Sequence, residues 1–241
     1  MQIAPSVYRV GNDIIAAYLV VGDDGVTVVD AGLGGHWREL VRELTRLGRS
    51  LDDVRGVVLT HGDTDHLGFA ERLRAERGVP VHVHAADASR ARGEEKAHAS
   101  FGSWRPGATA RFFAYAATHG GFRTRYVREV HEVADGDMLD LPGSPRIVGL
   151  PGHSPGSVAV HFPTLDAVMV GDALTTRDVL TGRTGPQPAP FTDDEAQALR
   201  SLDRLAGLDA RWVLPGHGAP SDAGTAEVVR RVREAASAHH R

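Results

Sequence analysis

The chain has 241 residues, 41% of them hydrophobic, and a formal net charge of −4. That length suits one large α/β domain with a sizeable core, and the charge provides no global basic field to draw the protein to nucleic acid or anionic lipid. Cysteine is absent, which excludes disulfides and thiolate chemistry and leaves imidazole and carboxylate to hold any transition metal.

No apolar run approaches the roughly 20 residues that span a bilayer. The opening residues 1–13 lack the basic start and apolar stretch of a signal peptide. A cytoplasmic protein with no membrane partner is expected.

The first third reads as strands and then alternating helices and strands. Residues 7–10, 14–21 and 26–30 are β-rich and separated by Gly-Asn-Asp and Gly-Asp-Asp-Gly turns. Trp37, Leu40, Val41, Leu44 and Leu47 recur at helical spacing, which predicts a helix over 36–47 ending at Gly48. A buried strand is expected over 57–60, a helix over 66–77 closed by Gly78, and a strand over 81–84.

Residues 93–127 differ in composition. Phe101, Trp104, Phe112, Phe113, Tyr115, Phe122 and Tyr126 alternate with Ala and Arg, and Gly102, Pro106, Gly107, Gly120 and Gly121 break the helical stretches. The segment is too short for its own core. It is expected to be an insertion in a single domain spanning 1–241, and a possible lid. Phe112, Phe113 and Tyr115 are candidates to line a pocket. Arg105, Arg111, Arg123 and Arg125 either attract an anion or form solvated helix faces. Strands then resume at 138–141, 146–150, 157–162, 167–170 and 211–214. A helix is expected over 193–206, capped by Thr192 or Asp193, and a terminal helix over 221–239. Strand-rich, helix-bearing halves on either side of an insertion suggest two layers packed face to face with helices outside.

The chemistry concentrates at strand ends. His61, Asp63, Asp65 and His66 fall within six residues directly after the apolar run 56–60. His153 in LPGHSPGS, Asp172 in VMVGDAL and His217 in WVLPGHG each follow a short apolar run into a Gly- or Pro-marked turn. Nitrogen and oxygen ligands sit about 2.0–2.2 Å from zinc, so one strand end cannot surround an ion and several must converge. These seven residues exceed the four ligands of a tetrahedral site, which argues for two adjacent ions about 3.5–4 Å apart. The alternative reading of each is a turn or capping residue. His82, His84, His36, His98, His119, His131 and His161 fit surface or capping roles better, with His84 able to reach a site mouth. His239 and His240 lie at the terminus.

DAG at 30–32, THGDTDHLG at 60–68, PGHSPGS at 151–157, GDAL at 171–174 and PGHG at 215–218 occur in an order that resembles the metallo-β-lactamase-fold hydrolases over nearly the whole chain. The resemblance implies an αββα sandwich with a helical insertion between its halves. It implies two divalent metal ions: His61, His153 and the residue at 63 on the first, Asp65, His66 and His217 on the second, and Asp172 bridging. Asp65 would also orient the attacking water or take up its proton, and Asp30 would help hold the ligand loops.

One position departs from the pattern, because the family's usual second histidine is Asp63 here. Zinc remains the expected metal, while the harder carboxylate shifts preference toward Mn or Fe(II). The implied activity is that of a metal-dependent hydrolase using a metal-bound hydroxide on a small ester, lactone or thioester. The rivals are a phosphodiesterase for a small phosphorylated substrate or nucleic acid, and a non-catalytic metal-binding sensor. Net charge weighs against nucleic acid. Export is usual for β-lactamases, so that activity is not expected. The sequence leaves the oligomeric state open.

Overall fold

A computed structural model describes residues 1–96 and 103–239; His98, Phe101, Gly102 and His240 lie outside the described residues. The chain opens with β1 (Gln2–Ala4), β2 (Val7–Gly11), β3 (Ala16–Gly22) and β4 (Gly25–Val29), an antiparallel meander. Helix α1 (Trp37–Arg46) leads to β5 (Val54–Val58), then to α2 (Thr64–Leu67), α3 (Ala70–Arg77) and β6 (Val81–His84). Next come α4 (Ala88–Ala91), α5 (Pro106–Thr118) and β7 (His131–Val133). From β4 to β7 the pairings are parallel, which completes a seven-stranded sheet in sequential order. The segment containing α5 therefore enters just before the last strand of this sheet.

The second half contains β8 (Arg146–Gly149), β9 (Val158–Phe162), β10 (Ala167–Gly171), β11 (Thr175–Arg177) and β12 (Thr184–Gln187). Helix α6 (Glu195–Ala206), β13 (Trp212–Pro215) and α7 (Thr225–His239) follow. The order β13-β10-β9-β8 forms a four-stranded sheet, and β11 and β12 pair separately.

Side-chain alternation along the strands builds three apolar layers. On β3, Ala17 and Leu19 face Leu40, Leu44 and Leu73 of the helices, while Tyr18 and Val20 face the other sheet. On β10, Ala167 and Met169 join that central layer, with Ile147, Val160 and Phe162. Val168 and Val170 point outward against Leu202, Leu205, Val228 and Val232 of α6 and α7. The architecture is helices, sheet, sheet, helices. No helix among the described residues is long and apolar enough to cross a membrane.

The expected helix over 66–77 is two helices. Gly68 passes so close to the 32–33 turn that a Cβ there would lie 2.3 Å from the Gly32 carbonyl oxygen, and the helix breaks at this crossing. Residues 138–141 contribute only an isolated bridge from Met138 to Arg146, because the chain turns at Gly143 with φ +84°. The terminal helix begins at Thr225, since Ser221 pairs back onto Val213. Helix α6 is capped by Asp194, whose carboxylate accepts from the Gln197 amide; Thr192 and Asp193 are engaged elsewhere.

Candidate metal centre

Four loops converge at one edge of the sandwich. His61 to His66 follow β5, His153 follows β8, Asp172 follows β10 and His217 follows β13. The edges of the two sheets are joined here: the Val158 amide donates to the Thr60 carbonyl, and the Ala16 amide to that of Gly216, both at 2.9 Å. Two glycines make the approach possible. Gly171 turns at φ +50° with Thr60 so near that a Cβ would lie 2.2 Å from its hydroxyl. A Cβ at Gly216 would lie 2.5 Å from His66 Cε1 and 2.6 Å from Asp172 Oδ1.

All seven sequence-selected residues come together. His217 Nε2 lies 3.1 Å from Asp172 Oδ2 and 3.4 Å from Asp65 Oδ2. His66 Nε2 lies 3.5 Å from Asp172 Oδ1, and His153 Nε2 is 3.8 Å from Asp172 Oδ2. Asp63 Oδ2 is 3.4 Å from His153 Nε2 and 3.8 Å from His61 Nε2. Three trios have ligand atoms within 4.8 Å of one another: His61, Asp63 and His153; Asp65, His66 and His217; and His61, His66 and Asp172.

Each of the four histidines of the cluster is anchored through Nδ1. His66 donates to Asp30 Oδ2 at 2.9 Å. Thr60 gives its single hydroxyl proton to Asp30, so its oxygen accepts from His61 Nδ1 at 3.0 Å. Thr192 gives its proton to the Ala189 carbonyl and accepts from His153 Nδ1 at 3.2 Å. His217 Nδ1 donates to the Ile14 carbonyl. With Nδ1 held by these partners, Nε2 is the atom each ring turns to the shared space, and an ion takes its lone pair in place of a proton. His61 Nε2, His66 Nε2 and Asp172 Oδ1 are buried without a hydrogen-bond partner among the described residues. Buried polar atoms rarely stay unpaired, and this all-nitrogen-and-oxygen donor set suits a divalent cation.

The sequence reading missed Asp87 and Arg90, which brace the loops. Fully buried Asp87 accepts from the amides of Gly62 (2.8 Å) and Gly156 (2.7 Å) and from the Ser154 hydroxyl (2.6 Å), joining the His61 and His153 loops. Arg90 reaches Asp63 and Asp193. The DASR run at 87–90 carries no motif that marks it.

Charges within the cluster oppose burial. Burial pushes the His66 imidazole down, but Asp30 and Asp172 outweigh it and hold the pKa up at about 9. Burial likewise lowers His217 and His153, and carboxylates reverse both, Asp172 and Asp65 for the first and Asp63 and Asp172 for the second. His61 is driven well below its ordinary value by burial and by the neighbouring imidazoles. Burial would raise Asp172, yet His217, His66 and His153 hold it well down.

For protein stripped of metal, His66 titrates near 6.5 unfolded and about 9 folded. Its contribution is fully present below pH 6.5 and lost as pH rises through about 9, on the order of 3 kcal/mol. Urea denaturation at pH 6.5 and 9.5 should show the stripped protein less stable at the higher pH. Metal uptake near pH 7 should release protons, because an ion replaces them at Nε2. Calorimetry in buffers of different ionisation enthalpy checks this, and no proton release would contradict the assignment.

The cluster forms the floor of a cavity of about 390 Å³. Ile15, Leu33, Phe112, Phe113, Phe122 and Phe191 supply apolar wall, with Arg90, Glu95 and Lys96 at the polar side. Tyr115 is not part of this wall. It turns away to accept from His36 Nε2 at 2.8 Å and stacks on His119, which clamps α5 to the β4–α1 connection. His36, expected in a surface or capping role, is buried and caps: its Nδ1 accepts from the Leu33 amide at 3.0 Å, and burial lowers its pKa to about 4. His161 is buried on β9 as well. His84 accepts from the Ala86 amide and lies outside the cavity wall, as do Arg105, Arg111, Arg123 and Arg125.

Among solved structures, a metallo-beta-lactamase family protein from Thermus thermophilus superposes with a TM-score of 0.70 at 27% identity, covering 98% of this chain and 79% of that one. A structure described as TTHA1623 in a di-iron-bound form gives a TM-score of 0.64 at 25% identity, covering 93% and 97%. The probable metallo-hydrolase YflN of Bacillus subtilis (strain 168) is 29% identical over 203 residues, 80% of this chain and 75% of the relative. Residues 10–217 match the family model of the metallo-beta-lactamase superfamily, and the chain belongs to that family.

Proposed function

We propose that this metal-dependent hydrolase cleaves a small ester, lactone or thioester at a centre of two divalent ions. His61, Asp63 and His153 would hold the first ion, Asp65, His66 and His217 the second, and Asp172 would lie between them. The observation that carries this reading is the set of inward-facing Nε2 atoms, each fixed by a hydrogen bond at Nδ1. When bound, such ions lower the pKa of a water and polarise a carbonyl oxygen.

The chain's own groups supply the rest. Asp65 lines the cavity with a side chain 23% exposed, so its free carboxylate oxygen can accept the proton of an attacking water. Phe112, Phe113 and Phe122 would seat the apolar acyl portion and keep bulk water from the reacting carbonyl. Two observations weigh against a phosphodiester. The acidic side chains Asp63, Asp65, Glu95 and Asp172 line the same cavity as Arg90 and Lys96, and Arg90 is already shared between two aspartates.

Purified protein should contain zinc, manganese or iron, and a chelator should abolish ester hydrolysis, with recovery on adding one of these metals. p-Nitrophenyl butyrate, a lactone, a thioester and bis-p-nitrophenyl phosphate form the test panel. Turnover of the phosphodiester alone would overturn the acyl-substrate reading, and absence of metal uptake would overturn the hydrolytic centre.

A further inference from the structure

Asp63 places a carboxylate where the family pattern has an imidazole, and a buried arginine lies against it. Arg90, on α4, is 2% exposed. Its Nη1 lies 3.4 Å from Asp63 Oδ1, and its Nη2 is bound to Asp193. Asp63 Oδ2 faces the other way, toward His153 and His61. The contact is built in from both sides. A Cβ at Gly62 would lie 2.6 Å from Arg90 Cβ, so the Asp63 loop rests directly on the arginine. The Asp193 amide donates to the His153 carbonyl at 3.1 Å, so the anchor of Arg90 is tied to a ligand loop.

We propose that Arg90 is the positioning residue of the first ion site, holding Asp63 as a one-oxygen ligand and offsetting part of the charge that replaces an imidazole. This rests on the two-ion reading above. A carboxylate with both oxygens free can turn, bind an ion through either or both, or swing away. Arg90 occupies Oδ1 and leaves Oδ2 as the donor. It also offsets part of the added negative charge, the remainder of its own charge facing Asp193. The guanidinium fork reaches two carboxylates at once in a fixed plane, which a lysine ammonium cannot reproduce. Asp63 and Arg90 therefore work as a pair.

Calorimetric titration of chelator-stripped full-length protein with Zn(II) tests this through a double-mutant comparison. Wild type should show two binding steps. Arg90→Met should weaken one step by about 10- to 100-fold, the range for partners that orient metal ligands, and spare the other. In the Asp63→His background, removing Arg90 should cause no loss, because no carboxylate remains to be held and a repelling cation is gone. Equal weakening in both backgrounds would mean that Arg90 only supports the fold and would overturn the proposal, as would unchanged binding by Arg90→Met. Should Arg90→Met fail to fold, Asp193→Asn loosens the same arginine from its other side. It must weaken the same step, and wild-type binding by that variant would overturn the proposal. Absence of any ion uptake by wild type is a different failure, because it removes the two-ion reading itself.

Discussion

Asp172→Ala is expected to reduce ester hydrolysis by about 10³-fold or more, since losing roughly 4 kcal/mol of transition-state stabilisation has that effect. No other carboxylate in the cluster lies this near three imidazoles: His217 Nε2 at 3.1 Å, His66 Nε2 at 3.5 Å and His153 Nε2 at 3.8 Å. It follows β10, whose last residue, Gly171, turns against Thr60, so no neighbouring side chain can take its place. Removing it deletes a carboxylate that lies beside members of both proposed ion sets. The imidazoles also lose the negative charge that gathers them, and His66 and His217 should become less basic. Metal analysis should find fewer than two ions per chain, alongside the lost turnover. Full metal content with full activity would place Asp172 outside the chemistry. Asp172→Asn separates shape from charge: if charge is what matters, it should resemble the alanine variant.

Much of this centre was legible in the sequence because ligands at strand ends are written locally. An apolar run followed by Gly or Pro and a histidine or aspartate marks both the strand and what it presents, and all seven marked residues meet. Asp30, expected to help hold these loops, does so; the other supports were not legible because they act across long separations. Asp87 reaches Gly62, 25 positions away, and Ser154, 67 positions away. Thr192 read as a helix cap, yet its hydroxyl orients His153. Phe112 and Phe113 were readable as pocket residues from their composition. Tyr115 was not separable from them, because only the docked helix shows that it faces His36. The short strands escaped detection for a local reason. β12 has the sequence TGPQ, whose Gly and Pro disfavour a strand, and its pairing with β11 overrides that preference.

Asp30→Asn should disable the second ion site while leaving the fold in place. Asp30 sits at φ +59°, a left-handed conformation that Asn tolerates better than most residues. Its Oδ1 accepts from the Thr60 amide at 2.8 Å, and an amide oxygen can keep that bond. Its Oδ2 accepts from His66 Nδ1 at 2.9 Å, and an amide nitrogen cannot. Faced with an NH₂ group, His66 must accept at Nδ1, which moves its proton to Nε2, the atom that points at the ion set. Affinity at one of the two sites should therefore fall about 10- to 100-fold, while the stripped protein still unfolds in one cooperative transition, somewhat less stable than wild type near pH 7 because His66 loses the carboxylate that holds its pKa up. Asp30→Ala should behave differently. It leaves buried donors on Thr60 and His66 without their acceptor and places alanine in a strained conformation, so it should destabilise the fold by about 3–5 kcal/mol. Chemical denaturation and metal titration of both variants separate the two roles: if Asp30→Asn binds two ions as wild type does, Asp30 is a structural brace and does not set the His66 tautomer.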